Sequence, residues 1–244
     1  MRRRLCVIVA AVFALGIAGC SGDGSTDKSS TGNTVAGANT PLSSDPKVAL
    51  ASVADKMATS TSRFEISVDG KKLMAGVMDI KSTQSESTFD LAGFGSMKVR
   101  IIGVDVYTQG GPGGAKDNKW THTKTVSLEG SGFSRSFEDA VTYLKAVSDV
   151  KMTTKGHYEG TLDPAKVTPL LPADRRAAWE QTLKQPGNKE PRPFKATVDD
   201  KGRLLTFSMT SKLNGKPSTF DMKFTDHGLP VSVKKPDAGD IVEG

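Results

Sequence analysis

PFKATVDDKGRLLTFSMTSKLNGKPSTFDMKF, residues 193–224, decides the fold. Phe194, Ala196 and Val198 alternate with polar residues, as do Leu205, Phe207 and Met209, and again Phe220, Met222 and Phe224. Side chains of a strand point alternately to its two faces, so a period of two marks a strand with one buried side. Asp199-Asp200-Lys201-Gly202 and Asn214-Gly215 separate the three runs and carry the residues that tight turns need. The segment therefore predicts a meander of adjacent antiparallel strands. Asp226-His227-Gly228 then leads to Val231 and Val233, which predict one strand more.

Working outward, the same alternation returns. Val150–Thr154 and His157–Leu162 predict a hairpin turning at Lys155-Gly156. Residues 163–192, bracketed by prolines, predict a helical insert around Trp179 and Leu183. A helix from about Phe137 to Val147 precedes the hairpin, with Phe137, Ala140, Val141 and Leu144 on one stripe and Ser136 with Asp139 as a capping box. Further upstream lie Phe64, Ile66 and Val68; Met74, Met78 and Ile80; Phe89 and Leu91; Met97, Val99 and Ile101; then Val104, Val106 and Tyr107. Trp120 opens a short strand after a glycine-rich loop. Pro46 starts a first helix capped by Ser44 or Asp45, with Leu50, Val53, Ala54 and Met57 at helical spacing.

About eleven one-faced strands, a few helices and no alternating βαβ rhythm give an α+β class. One-faced strands must close on themselves or cover their apolar side with helices. A strongly curved antiparallel sheet, an open half-barrel with helices covering its concave face, meets both demands. It is expected to occupy residues 45–244 without an internal boundary.

The N-terminal residues read as an address. Arg2, Arg3 and Arg4 precede the apolar run Leu5–Ile17, which falls short of the ~20 residues a bilayer span needs and suits a secretory leader. Ile17-Ala18-Gly19-Cys20 places small residues and a thiol where lipoproteins are cleaved and acylated. Residues 1–19 are expected to be a signal peptide, and Cys20 to carry fatty acyl chains such as palmitate. Residues 20–44 then form a Ser/Thr/Gly/Asn-rich tether with almost nothing to bury, reaching roughly 25–30 Å as a flexible coil. Cys6 and Cys20 are the two cysteines of the chain, so the domain has no disulfide and its core must suffice. Loss of the leader removes three arginines and lowers the net charge from +6 to +3, which is too small and scattered to argue for nucleic acid.

Catalytic constellations are hard to assemble. His122, His157 and His227 are the three histidines, and each stands alone in a strand or turn, where solvation is the ordinary state. No His-Glu-x-x-His or paired ligand spacing supports zinc. Ser148…Lys151 and Ser232…Lys235 match Ser-x-x-Lys, but without companion motifs. Asp199-Asp200 beside Gly202 reads as a turn, not a calcium loop. No cofactor and no enzymatic activity is expected.

The order of elements, the segment Thr153-Thr154-Lys155-Gly156-His157-Tyr158-Glu159-Gly160-Thr161 and the closing Gly228-Leu229-Pro230-Val231-Ser232-Val233 resemble the actinobacterial lipoproteins of the LppX, LprA, LprF and LprG type. Those proteins share the open-barrel architecture of the carrier LolA. The resemblance implies an extracytoplasmic protein, lipid-anchored to the cell membrane, that binds or shuttles lipids or glycolipids in an apolar cavity. The expected lining is Phe64, Ile66, Met74, Met78, Phe89, Leu91, Val99, Ile101, Phe207, Met209, Phe220 and Met222. Methionine suits such a lining because its thioether repacks around varied shapes. Trp120, Trp179 and Tyr158 fit either a cavity mouth or the core. Periodicity does not separate a cavity lining from an ordinary core, so a non-carrier module that uses the same sheet against a protein or cell-wall polymer remains the alternative. An apolar space of several hundred Å3 would favour the carrier, and a packed interior the alternative.

Overall fold

Asp45 begins the folded chain by accepting hydrogen bonds from the backbone N–H groups of Lys47 and Val48, at 2.8 and 3.2 Å. With Pro46 at the first helical position, this cap fixes the start of α1, Pro46–Ala58. The computed structural model describes residues 42–91, 93, 95–112, 116–124, 136–171, 173–184, 187–213 and 216–244. The expected leader, Cys6, Cys20, the expected tether up to residue 41 and the turn expected at Asn214-Gly215 lie outside the described residues.

Six strands follow α1 as a meander: β1 Thr61–Val68, β2 Lys71–Asp79, β3 Gln84–Leu91, β4 Gly95–Ile102, β5 Asp105–Gly110 and β6 Trp120–Lys124. Then come α2, Ser136–Lys145, the hairpin β7, Val147–Thr154, and β8, His157–Leu162, and the insert with α3, Pro164–Val167, and α4, Ala173–Leu183. The segment quoted first becomes β9, Arg192–Val198, β10, Leu204–Leu213, and β11, Lys216–Thr225. All join one open, curved sheet in the order β12-β6-β5-β4-β3-β2-β1-β11-β10-β9-β8-β7, where β12 is Ile241–Glu243. Two meanders are thus sewn together at the middle by the antiparallel pair β1–β11.

The sheet has twelve strands where the sequence predicts about eleven, and it is mixed, because β12 runs parallel to β6. Three residues are too few to show a period, which hid β12 in the sequence. Val231 and Val233 form no strand: residues 229–237 cross the outer face of the sheet, and the Val233 N–H donates to the Gln84 side chain at 3.1 Å. Prolines 230 and 236 bound this strap and remove donors that a strand would use. The second helix stops at Lys145, and Val147 already belongs to β7.

Two bulges correct the face assignments. Between Leu204 and Thr206 the register with β9 slips by one, so Leu204 turns inward and Leu205 becomes the half-buried extra residue. Between Ile66 and Ser67 the partner strand carries an extra residue, Leu73, whose side chain is 39% exposed. Met152, within the expected hairpin, is 46% exposed on the edge strand β7, where two register shifts break the pattern. Val104 sits exposed in the β4–β5 turn.

Candidate functional site

Pairing register builds the inner face residue by residue, because directly opposed residues share a side of the sheet. One row runs Tyr158, Ala196, Phe207, Met222, Ile66, Met74, Phe89, Met97 through β8, β9, β10, β11, β1, β2, β3 and β4. A second passes through Phe224, Phe64, Gly76, Ser87 and Val99. These rows contain most of the expected lining residues. Phe64, Ile66, Met74, Met78, Phe89, Val99, Ile101, Phe207, Met209 and Met222 are buried, whereas Leu91 and Phe220 are only partly so. Buried Leu50, Val53, Ala54 and Met57 of α1 and Ala140 and Leu144 of α2 complete the same cluster.

Small residues let these strands approach. A Cβ on Gly76 would lie 2.2 Å from the Glu86 carbonyl oxygen. One on Gly160 would lie 2.9 Å from the Phe194 ring, which explains why glycine follows Tyr158 by two positions. Ser62, Ser85 and Ser87 also face inward and are buried. A hydrophobic-only reading of alternation passes over them, although their positions at period two with Phe64 and Phe89 carry the signal.

The inner face is tightest where α1 ends. There Lys56, Met57, Ser60, Ser62, Arg203, Leu204, Phe224 and His227 enclose a cavity of about 20 Å3. That is room for about one water molecule. Both ring nitrogens of His227 are buried without a hydrogen-bond partner. Burial, seconded by the nearby Arg203 charge, pushes this imidazole below its ordinary value. Asp199, at the same end, spends its carboxylate inside its own turn, accepting from the backbone N–H of Lys201 and Arg203, each at 2.9 Å, and from Arg203 Nε at 2.7 Å.

A second pocket, of about 390 Å3, opens on the opposite, outer face of β7–β10. Its walls include Asp149, Lys151, Glu159, Thr161, Lys195, Ser208 and Thr210. Most of its lining residues are polar, with Pro193 and Phe194 adding apolar surface, it opens to solvent, and it reaches the inner side only through Gly160 and Phe194. The two pockets together leave the expected apolar hollow of several hundred Å3 undescribed.

Sequence reasoning missed a third cluster altogether. Arg100, Tyr107, Trp120 and His122 face outward from β4, β5 and β6, opposite to Val99, Ile101 and Val106. The strap covers them. Arg100 lies 4.7 Å from the Trp120 ring centre, pairs with Glu86 at 3.0 Å, and donates to the Lys234 carbonyl at 3.2 Å. His122 stacks on Tyr107 with centroids 4.9 Å apart and contacts Asp105 and Glu243, each at 2.8 Å. Both ring nitrogens can donate only when the imidazole is a cation, so the bonds to Asp105 and then Glu243 hold His122 above its ordinary value. The sequence clue was Val106-Tyr107: two adjacent buried residues mean that both faces of a strand are covered. His122 is therefore not solvated as expected, while His157 is exposed. Trp120 sits under the Arg100 guanidinium on the outer face, away from the inner face. Trp179 donates to the Pro164 carbonyl at 3.1 Å and leans on Tyr143, tying α4 to α3 and α2. Among the described residues, no group of three or more His, Cys, Asp or Glu side chains is disposed to hold a metal ion, and no helix is long and apolar enough to cross a membrane.

Comparison with known proteins gives distant likenesses. No family model and no curated protein matches the chain. Among solved structures, the Mycobacterium tuberculosis lipoprotein LppX superposes with a TM-score of 0.48 at 15% identity, over 78% of this chain and 100% of that one. A DUF1329 family protein from Desulfovibrio piger ATCC 29098 superposes with a TM-score of 0.26 at 12% identity, over 78% and 96%. Both likenesses are too loose to carry an argument about function.

Proposed function

We propose that the chain is an envelope lipoprotein that binds the acyl part of a lipid or glycolipid against the inner face of its sheet. The observation that carries this reading is the apolar row from Tyr158 to Met97, which continues across the sheet's middle without a charged residue. Its one partly exposed member, Met97, together with Phe220 and Leu91, lies toward the β1–β2 turn, away from the end sealed by α1. Entry from that side is the natural route. One acyl chain of ~15 methylenes gains on the order of 10 kcal/mol by burial, and a bilayer offers the chain a similar amount. Transfer is then near balance, and adaptable methionines serve better than a rigid pocket. The cavity of about 20 Å3 at the end of α1 is too small for an acyl chain, so the ligand would lie along the row toward the β1–β2 turn.

In the same reading, residues 1–19 are the leader, Cys20 carries the acyl anchor, residues 20–44 are the tether and residues 45–244 bind the ligand, noncovalently and without a cofactor. The test is native mass spectrometry of protein purified from a membrane-rich host, followed by incubation with vesicles containing a labelled phospholipid. A bound amphiphile, or uptake of about one lipid per chain, supports the proposal. A ligand-free spectrum with no uptake sinks it. The non-carrier alternative draws its support from the polar outer pocket bounded by Asp149, Lys151, Glu159 and Lys195. It predicts no lipid uptake and saturable binding of a soluble polar ligand that Lys195→Ala weakens.

A further inference from the structure

At the end where α1 meets β1, four cations have acidic partners, while Lys81 and Lys201 are exposed and form no ion pair with a described residue. Arg63 pairs with Asp226 at 3.0 Å, Lys155 with Asp200 at 2.7 Å, Arg203 with Asp199 at 2.6 Å and Lys145 with Asp55 at 2.6 Å. At the other end, three segments form one continuous surface. The β1–β2 turn is joined to β11 through Asp69, which accepts from Ser218 Oγ at 3.1 Å and the Thr219 N–H at 2.8 Å. β10 is joined to the insert through Lys212 and Glu190, at 3.1 Å. Lys71, Lys72, Lys189, Lys212 and Lys216 are all exposed on that surface. Lys71, Lys189 and Lys216 form no ion pair with any described residue.

Among these lysines the bulge in β2 turns Leu73 outward, 39% exposed between Lys72 and buried Met74. Nothing in the core needs it there. Lysines surrounding a projecting apolar side chain match the chemistry of a bilayer surface, where anionic headgroups attract the charges and the apolar group enters below them. We propose that this end of the sheet, the β1–β2 turn with Lys189, Lys212 and Lys216, docks on an anionic lipid surface. The proposal goes beyond ligand binding by the inner face and stands or falls separately from it.

The full chain, reconstituted with vesicles, tests it through the acetylation rate of each lysine, read by mass spectrometry. Vesicles of phosphatidylcholine alone are compared with vesicles holding about 30 mol% phosphatidylglycerol. Lys71, Lys72 and Lys216 are expected to react at least about threefold more slowly on the anionic vesicles at about 0.05 M NaCl, and to recover at about 0.5 M. Lys81, Lys155 and Lys201, at the opposite end, are expected to keep their rates. The variant Lys71→Glu/Lys72→Glu/Lys216→Glu should lose the composition-dependent protection at Lys189 and Lys212. Should that variant fail to fold, the wild-type ratios decide alone. Equal protection at both ends overturns the proposal, as does no protection at either. Equal protection of Lys71, Lys72 and Lys216 by glycerol phosphate or by polyglutamate also overturns it, in favour of a soluble phosphate or an acidic protein. Lipid uptake plays no part in the readout, so failure here leaves the carrier reading untouched.

Discussion

Strands β4–β6 and strands β8–β10 belong to one sheet but are buried differently. The first group is covered on both sides, by the core within and by the strap of residues 229–237 without. The second is covered on its inner side, and its outer side carries Lys195, Glu159, Ser208 and Thr210 around an open polar pocket. In the strands themselves the difference leaves one mark, the adjacent buried pair Val106-Tyr107 of β5, where β9 keeps a strict alternation. Distant chain lying over one half and not the other produces it. Stability should therefore respond to outer-face changes in one half and ignore them in the other, while inner-face changes cost the same in both.

The largest effect should come from the face that the halves share. Phe64, 2% exposed, sits in β1 where the two meanders meet. Phe64→Ala should cost about 4 kcal/mol in urea unfolding, as large-to-small changes in packed cores do. Phe207→Ala, in the other meander, should cost about as much. A cost below about 1 kcal/mol at either position would show an inner face too loosely packed for the argument. It would also be the outcome expected of a standing cavity.

Next in size is the strap. A chain ending after Thr225 would uncover Tyr107 and Trp120, which are 1% and 7% exposed with the strap in place. Aromatic rings of this kind bury 150–250 Å2 each, roughly 3 kcal/mol or more between them even if the strap shields a minority of that area. The matching change in the other half, Ser208→Ala beside the polar pocket, should stay within about 0.5 kcal/mol. If the two deletions of contact cost the same, the contrast between the halves is not real.

Legibility follows the same division. Alternation exposed most of the inner-face strands, because a period of two records which side meets the core, though at Val231 and Val233 it marked a strand that does not form. The meander 193–224 and the hairpin at Lys155-Gly156 were readable for that reason, as was the cap at Asp45. Contacts that a strand makes on its second face leave no periodic trace, so Arg100 went unnoticed and Trp120 was expected at a cavity mouth or in the core, not on the outer face. β12 was unreadable for its brevity. Leu205 was misassigned because a bulge shifts the phase of a pattern without changing its composition. Of the candidate site, the twelve lining positions were readable as an inner face, but whether they surround space or one another depends on how α1 and α2 sit, and periodicity carries no such information.

The smallest effect is the one that pH can isolate. His122 holds the end of the chain by contacting Asp105 from within the sheet and Glu243 from β12, with Lys124 opposite Asp105 in the pairing and Lys235 6.0 Å above the Tyr107 ring. Its folded-state value lies above the ordinary 6.5. The folded protein then binds the proton more tightly than the unfolded chain does. The resulting stability is fully present below 6.5 and is lost as pH rises through the folded value. His227 works the other way: its depressed value makes acidification costly once pH falls below 6.5. The two act in adjoining windows, His122 above 6.5 and His227 below it. His122→Gln removes the gain on acidification in the upper window and leaves the loss in the lower one unchanged. The substitution should cost about 1 kcal/mol near pH 5.5 and markedly less near pH 8, since Glu243 is largely exposed and its bond correspondingly weak. Equal cost at both pH values would mean that His122 acts by packing on Tyr107 alone. The strap would then be held by its aromatic contacts and Arg100, not by charge.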